Sequence, residues 1–184
     1  MSEAARLILD ALEFAAHAQG TQRREDAGDS YLVHLAEVAA ACGGHEPFDP
    51  VLVAAALLHD VVEDTEVTEA DLRTRFGDEI ADLVMEVTDP PDMPKANKQA
   101  IQAEHVSRAS ERARLLKIAD KTSNVAELAA LPAPATDEIH DYLAGARLVV
   151  NACRGTDPRM EAAFDAVASR LEERLSKRPE GSTS

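Results

Sequence analysis

The run Val51 to Leu58 (VLVAAALL) is uncharged and apolar, and His59, Asp60, Glu63 and Asp64 follow it directly. A helix that is apolar on every side belongs in the centre of a domain. Ionisable groups carried into such a place cost several kcal/mol unless they are paired or hold a metal. At i, i+1, i+4 and i+5 the four side chains share one helix face. The spacing therefore predicts a helix over 51–62 that brings two adjacent ligands, and a carboxylate pair one turn later, to a compact metal-and-water site. The plain alternative is a helix end that has reached solvent.

The rest of the chain supplies the surroundings of that helix. Apolar residues recur at three and four: Leu7, Ala11, Phe14 and Ala15 on a first helix ending near Gly20, then Leu35, Val38, Ala39 and Cys42 on a second that Ser30 can cap. Residues 22–29 are polar and turn-rich and read as a loop. Thr68 with Asp71 resembles a capping box ahead of a helix that Gly77 ends, and Asp78 can cap the next. Further helices are predicted from about Lys95, over 111–131, 137–154 and 158–175. No segment alternates convincingly as a strand. Six aromatic residues in 184 leave Ala, Leu and Val to build the core, which favours close-packed helices. The expected fold is all-α, a single domain over 1–178 with a C-terminal helix at 157–176 and a disordered tail at 179–184.

Composition also excludes partners. Lys+Arg 19 against Asp+Glu 34 gives a formal charge of −15, which argues against duplex nucleic acid and against anionic lipid. No apolar run approaches the roughly 18 residues of a membrane span, and the N-terminus carries no secretory h-region. Cys42 and Cys153 are too few for a disulfide framework and fit a reducing cytosol. A cytoplasmic protein is expected, with its oligomeric state open.

Two further segments interrupt apolar patterns with potential ligands. His34 lies early on the second helix, and Asp120 sits inside Leu115-Leu116-Lys117-Ile118-Ala119-Asp120-Lys121, with Asn124 one turn on. Two imidazoles and two carboxylates from helices suit one divalent ion with N/O ligands, such as Mn²⁺, Fe²⁺ or Zn²⁺. The absence of Cys ligands argues against a structural zinc site. His17, His45, His105 and His140 have no partner at ligand spacing and read as ordinary residues.

The chain resembles the HD superfamily of metal-dependent phosphohydrolases, and within it the small alarmone hydrolases and the hydrolase domain of Rel/SpoT-type enzymes. The residues that carry the likeness are Gln22-Arg23-Arg24, Tyr31-Leu32-Val33-His34, the segment Leu57 to Thr65 with its HDxxED pattern, Val87-Thr88-Asp89, Met93-Pro94-Lys95, and Lys117-Ile118-Ala119-Asp120-Lys121 with Asn124. It runs from about Ala4 to Arg154.

The resemblance implies an HD-domain bundle of about eight to ten helices that removes the 3′-pyrophosphate of the guanosine alarmones ppGpp and pppGpp, the signals of the stringent response. It implies that His34, His59, Asp60 and Asp120 hold one ion, most often Mn²⁺, and that Glu63 and Asp64 position and deprotonate the attacking water. For the nucleotide it points to Arg23 and Arg24, the latter packing on the base, and to Lys95, Lys98, Lys121, Asn124 and Tyr142. Leu35 stands where the family usually has proline, Glu25 where a lysine is common, and Ala126 where an arginine is common; none of these touches the ligand set. The competing readings are an HD nucleotidase, an adenosine-alarmone (ppApp) hydrolase, and a catalytically silent nucleotide-binding module.

Overall fold

The computed structural model describes residues 1–24, 28–94, 97–132 and 137–177. Glu25, Lys95 and the expected tail 179–184 lie outside the described residues. The elements are α1 (Glu3–Gln19), α2 (Tyr31–Gly43), α3 (Pro50–Leu58), α4 (Val61–Asp64), α5 (Glu69–Phe76), α6 (Asp78–Val87), α7 (Lys98–Val106), α8 (Glu111–Ala130), α9 (Asp137–Ala152) and α10 (Pro158–Ser176). Among the described residues the β pairing is one isolated bridge, Arg23 with Ser30, which closes the loop before α2.

Local chemistry sets most of the boundaries. Asp49 accepts hydrogen bonds from the Val51 and Leu52 amides, with Pro50 at the first helical position of α3; the missing proline N–H is one the helix start could not have used. Thr68 and Asp71 form the expected reciprocal capping box of α5. Gly77 turns the chain between α5 and α6 at φ 84, a left-handed conformation that disfavours a side chain. Gly77 itself stands at the N-cap of α6, so Asp78 is the first helical residue and not the cap, and Ser30 makes no side-chain cap bond. Asp157 caps α10 and takes a 2.7 Å hydrogen bond from His45, which ties the end of α2 to α10.

Two helices form the buried axes. Every residue of α3 from Leu52 to Leu58 is buried, and α3 packs against α1, α2 and α6. The longest helix, α8, buries a continuous stretch from Leu115 to Lys121 and packs against α10, α2, α9 and α6. Because α2 lies against both axes, the start of α2, the end of α3 and the middle of α8 can meet at one point. The predicted continuous helix over 51–62 is interrupted there. His59 is the C-cap of α3, and Asp60 (φ −105, ψ −2) starts a separate single turn, α4. The helix expected from about Lys95 begins at Lys98, after Asn97.

The wall formed by α7 depends on one glycine. A Cβ on Gly145 of α9 would lie 2.5 Å from Cγ and 2.8 Å from Cβ of Gln99, distances that rotation of a distant side-chain tip cannot relieve. Gly145→Ala is expected to separate α7 from α9 at an overpacking cost of about 1–3 kcal/mol. A thermal melt reads this as a fall of about 2–4 °C per kcal/mol for a domain of this size. An unchanged Tm would show that α7 does not need this close approach.

Candidate metal centre and cleft

His34 projects from α2, His59 from the end of α3 and Asp120 from the middle of α8; all three are buried, and their ligand atoms lie within 4.8 Å of one another. His34 Nε2 is 3.4 Å from His59 Nε2 and 3.7 Å from Asp120 Oδ1, and His59 Nε2 is 4.0 Å from Asp120 Oδ1. Asp60 turns Oδ2 to 3.0 Å from His59 Nε2 and 3.6 Å from His34 Nε2. Ligands about 2.1 Å from one ion are separated by about 3–4 Å, so this donor set fits a divalent ion with N/O ligands.

The tautomers agree. His59 Nδ1 donates to the Ala56 carbonyl at 2.8 Å, which in the neutral ring leaves Nε2 as a lone pair facing the cluster. The break after α3 makes the arrangement possible. On an unbroken helix adjacent side chains diverge by about 100°, so His59 and Asp60 would not reach one point. The common face expected from spacing therefore comes from the interruption, not from a continuous helix.

The electrostatics ask for positive charge in the same place. Burial opposes a charge on His59, but Asp60 and Asp120 outweigh it and push the imidazole up to about 9. Burial alone would raise both carboxyls. His59 and His34 instead hold Asp60 well below the usual carboxylate range, and Lys121 and Lys117 hold Asp120 below it. Tyr31 donates its hydroxyl to Asp60 Oδ2, and Asn124 Nδ2 donates to Asp120 Oδ1 at 2.7 Å. Both ligand carboxylates are thus fixed from the cleft side.

The centre opens into a cleft of about 270 Å³. Glu63 and Asp64 stand at its rim. Burial raises the pKa of both carboxyls, for Asp64 with help from the Asp60 charge. Glu63 Oε1 accepts from the Asp89 amide at 2.6 Å. Gln19 Nε2 reaches Asp64 Oδ2 at 3.5 Å, and Gln22 Nε2 bonds the Asp64 carbonyl at 3.0 Å. Three lysines, Lys98, Lys117 and Lys121, line the same cleft. Lys98 pairs with Asp89 at 2.9 Å and buried Lys121 with Asp120 at 3.2 Å.

The structure brings His34, His59, Asp60, Asp120, Glu63, Asp64, Lys98, Lys121, Asn124 and Tyr142 around this one cleft. It does not bring Arg24 there. The Arg24 guanidinium is buried, bonded to Glu127 at 2.5 Å and to Glu37 at 3.0 Å, so in this structure it faces those two carboxylates and does not line the cleft. Arg23 is exposed and donates to the Gly28 carbonyl. The sequence motifs assign no role to Gln19, Lys117 or Gln102. Gln19 carried a signal: a polar residue on the stripe Ala11, Ala15, Gln19, all buried, which a helix uses for core.

Residues 11–144 match the family model described as HD domain. The chain is 36% identical over 171 residues to the guanosine-3′,5′-bis(diphosphate) 3′-pyrophosphohydrolase MESH1 of Xenopus tropicalis, covering 90% of this chain and 94% of that protein. To the MESH1 of Homo sapiens it is 38% identical over 168 residues, covering 89% and 93%. Among solved structures it is similar to a metazoan ortholog of SpoT, described as hydrolysing ppGpp and acting in starvation responses. The TM-score is 0.82 at 34% identity, over 89% of this chain and 94% of the other.

Replacing one carboxylate of the cluster tests the centre directly. Asp60→Ala is expected to lose the bound divalent ion. Elemental analysis after dialysis should find about one ion per chain in the wild type and none in the variant. A thermal melt should show the wild type alone stabilised by added ion, by about 2.7 kcal/mol at a hundredfold excess over Kd. Full metal content in Asp60→Ala would remove Asp60 from the centre.

Proposed function

Because the chain belongs to the HD-domain family and, within it, to the MESH1 group of 3′-pyrophosphohydrolases, we propose that it hydrolyses the 3′-pyrophosphate of ppGpp and pppGpp, releasing pyrophosphate and GDP or GTP. The observation that carries the reading is the pairing of a buried His–His–Asp cluster with two desolvated carboxylates and three lysines that line one cleft. The reaction needs a water activated beside a highly charged phosphoryl group, and those parts stand together.

In the proposed mechanism His34, His59, Asp60 and Asp120 hold one ion, for which Mn²⁺ suits the N/O donor set. When bound, such an ion supplies Lewis acidity: a lower pKa for its water and neutralisation of phosphoryl charge. Glu63 and Asp64 receive the proton of the attacking water, a role that their raised carboxyl pKa values favour. The water oxygen bonds to the ribose-proximal phosphorus of the 3′-diphosphate. The bond from that phosphorus to O3′ breaks, and one proton of the water ends on O3′. Lys98, Lys117 and Lys121 offset the phosphate charge against the five carboxylates that also line the cleft. Tyr142 stands beside Asn124 at the cleft wall, where a nucleoside can lie against it. Arg23 and Lys95, which the resemblance singles out, are the remaining candidates for the nucleotide.

No helix among the described residues is long and apolar enough to cross a membrane. Cys42 and Cys153 are free and buried, which supports a reducing, cytoplasmic setting.

Turnover of ppGpp, pppGpp, ppApp and simple nucleotides with added Mn²⁺, followed by chromatography of the products, tests the reading. GDP or GTP with pyrophosphate is expected from the guanosine alarmones, and none after chelation. A protein that ignores every 3′-pyrophosphorylated nucleotide but turns over ordinary nucleotides would be a general HD nucleotidase instead. Glu63→Gln keeps the side-chain shape and removes the base. It should lower kcat by roughly two to four decades while ion content stays at the wild-type level; loss of the ion would make Glu63 a ligand.

A further inference from the structure

The face of His34 turned away from the cleft is held by a chain of hydrogen bonds in which the position of every proton is fixed. Glu37 Oε2 accepts from Ser123 Oγ at 2.6 Å and from Arg24 Nη1 at 3.0 Å. A carboxylate only accepts and a serine hydroxyl has one proton to give. Ser123 therefore gives its proton to Glu37 and presents a lone pair to His34 Nδ1, 2.9 Å away. The proton of that bond lies on Nδ1, and Nε2 faces the cluster as a bare lone pair. Arg24 closes the arrangement: its Nε bonds Glu127 at 2.5 Å and its Nη2 bonds the Ser123 carbonyl at 3.3 Å. One side chain thereby ties the loop before α2 to α2 itself and to α8 beside Asp120.

We propose that Ser123, Glu37 and Arg24 are positioning residues that lock the tautomer and orientation of His34 and so set the affinity of the centre for its divalent ion. The inference rests on the metal-centre reading given above. Without Glu37 the Ser123 hydroxyl is free to turn its proton toward Nδ1. That favours the tautomer with its proton on Nε2, which cannot ligate. Without the Ser123 hydroxyl, Nδ1 loses its partner and the ring its orientation. Arg24 contributes by holding the Glu37 carboxylate, whose side chain is 48% exposed, against Ser123; left alone, that carboxylate would be drawn to water.

Calorimetric titration of Mn²⁺ into the metal-stripped full chain tests this. Ser123→Ala and Glu37→Ala should each raise Kd by about 10–100-fold, the usual effect of losing the partner of a ligating histidine, and Ser123→Thr, which keeps the hydroxyl, should restore it to within a few-fold. Leu72→Ala, a buried residue of α5 that lines neither the cluster nor the cleft, is the control for general destabilisation: its Tm should fall while its Kd stays at the wild-type value. An unchanged Kd in either alanine variant, or a threonine variant as weak as the alanine one, would overturn the relay while leaving the metal centre intact. A wild-type protein that takes up no Mn²⁺ would instead overturn the metal-centre reading, and the relay with it.

Discussion

Two imidazole nitrogens face each other 3.4 Å apart in the interior, and the acceptor behind each ring takes the Nδ1 proton, so both Nε2 atoms point inward. As bare lone pairs they would repel; a cation, or a proton on one of them, removes that repulsion. Asp60 and Asp120 add two carboxylates within 4.0 Å, so the interior point is strongly negative. Leaving such a group of charges uncompensated would cost several kcal/mol per ion, a large share of the stability of a domain this size. The fold accommodates the demand by bringing α2, the end of α3 and the middle of α8 to one point, and by ending α3 there. The arrangement makes sense around a cation, or around a proton that takes its place.

The same break that aims Asp60 inward also aims the next turn outward. Asp60 begins α4, and Glu63 and Asp64 at the far end of that turn reach the cleft rim. One interruption of the backbone thus separates groups suited to holding an ion from groups suited to moving a proton. In the same cleft, α7 and α8 supply lysines. A chain of formal charge −15 repels a polyphosphate at long range, but screening beyond about 8 Å at physiological ionic strength leaves local charge in control of the cleft. The close approach of Gly145 to Gln99 sets how near α7, which carries Lys98 and Gln102 into the cleft wall, lies to α9.

What the sequence made legible follows from which interactions are local. The capping box Thr68–Asp71, the start of α3 at Pro50 and the burial of Leu52 to Leu58 are decided within a few residues, and periodicity reads them. The ligand residues were legible because each interrupts an apolar pattern that has no other use for it. The break between α3 and α4 was not, because its driving partners, His34 and Asp120, lie far off in sequence. The two carboxylate partners of Arg24 were illegible for the same reason. They sit 13 and 103 residues away, and an arginine in a polar loop looks the same whether it faces a nucleotide or clamps two helices. Ser123 gave no signal at all, since a small hydroxyl on a helix is unremarkable until a carboxylate is known to lie behind it.

In the absence of an ion, a proton supplies the missing positive charge. The pKa of His59 rises from 6.5 to about 9 on folding. The stability contributed by its charge is therefore complete below pH 6.5 and lost as pH rises through 9. The depressed carboxyls act in the opposite sense: Asp60 and Asp120 stabilise the fold above their usual range near 3.8 and lose that contribution as pH falls through their lower folded values. Near neutrality all of these hold together, and the centre is a proton-filled version of the ion site. Binding a divalent ion must then expel the proton of His59, so affinity rises with pH until the imidazole is neutral. The relay through Ser123 and Glu37 acts on the other ring, His34, which it holds ready for the ion with its proton already on Nδ1. One imidazole is thus pre-set for metal while its neighbour carries the proton that holds the apo fold together. That division lets the same buried cluster be stable both empty and filled.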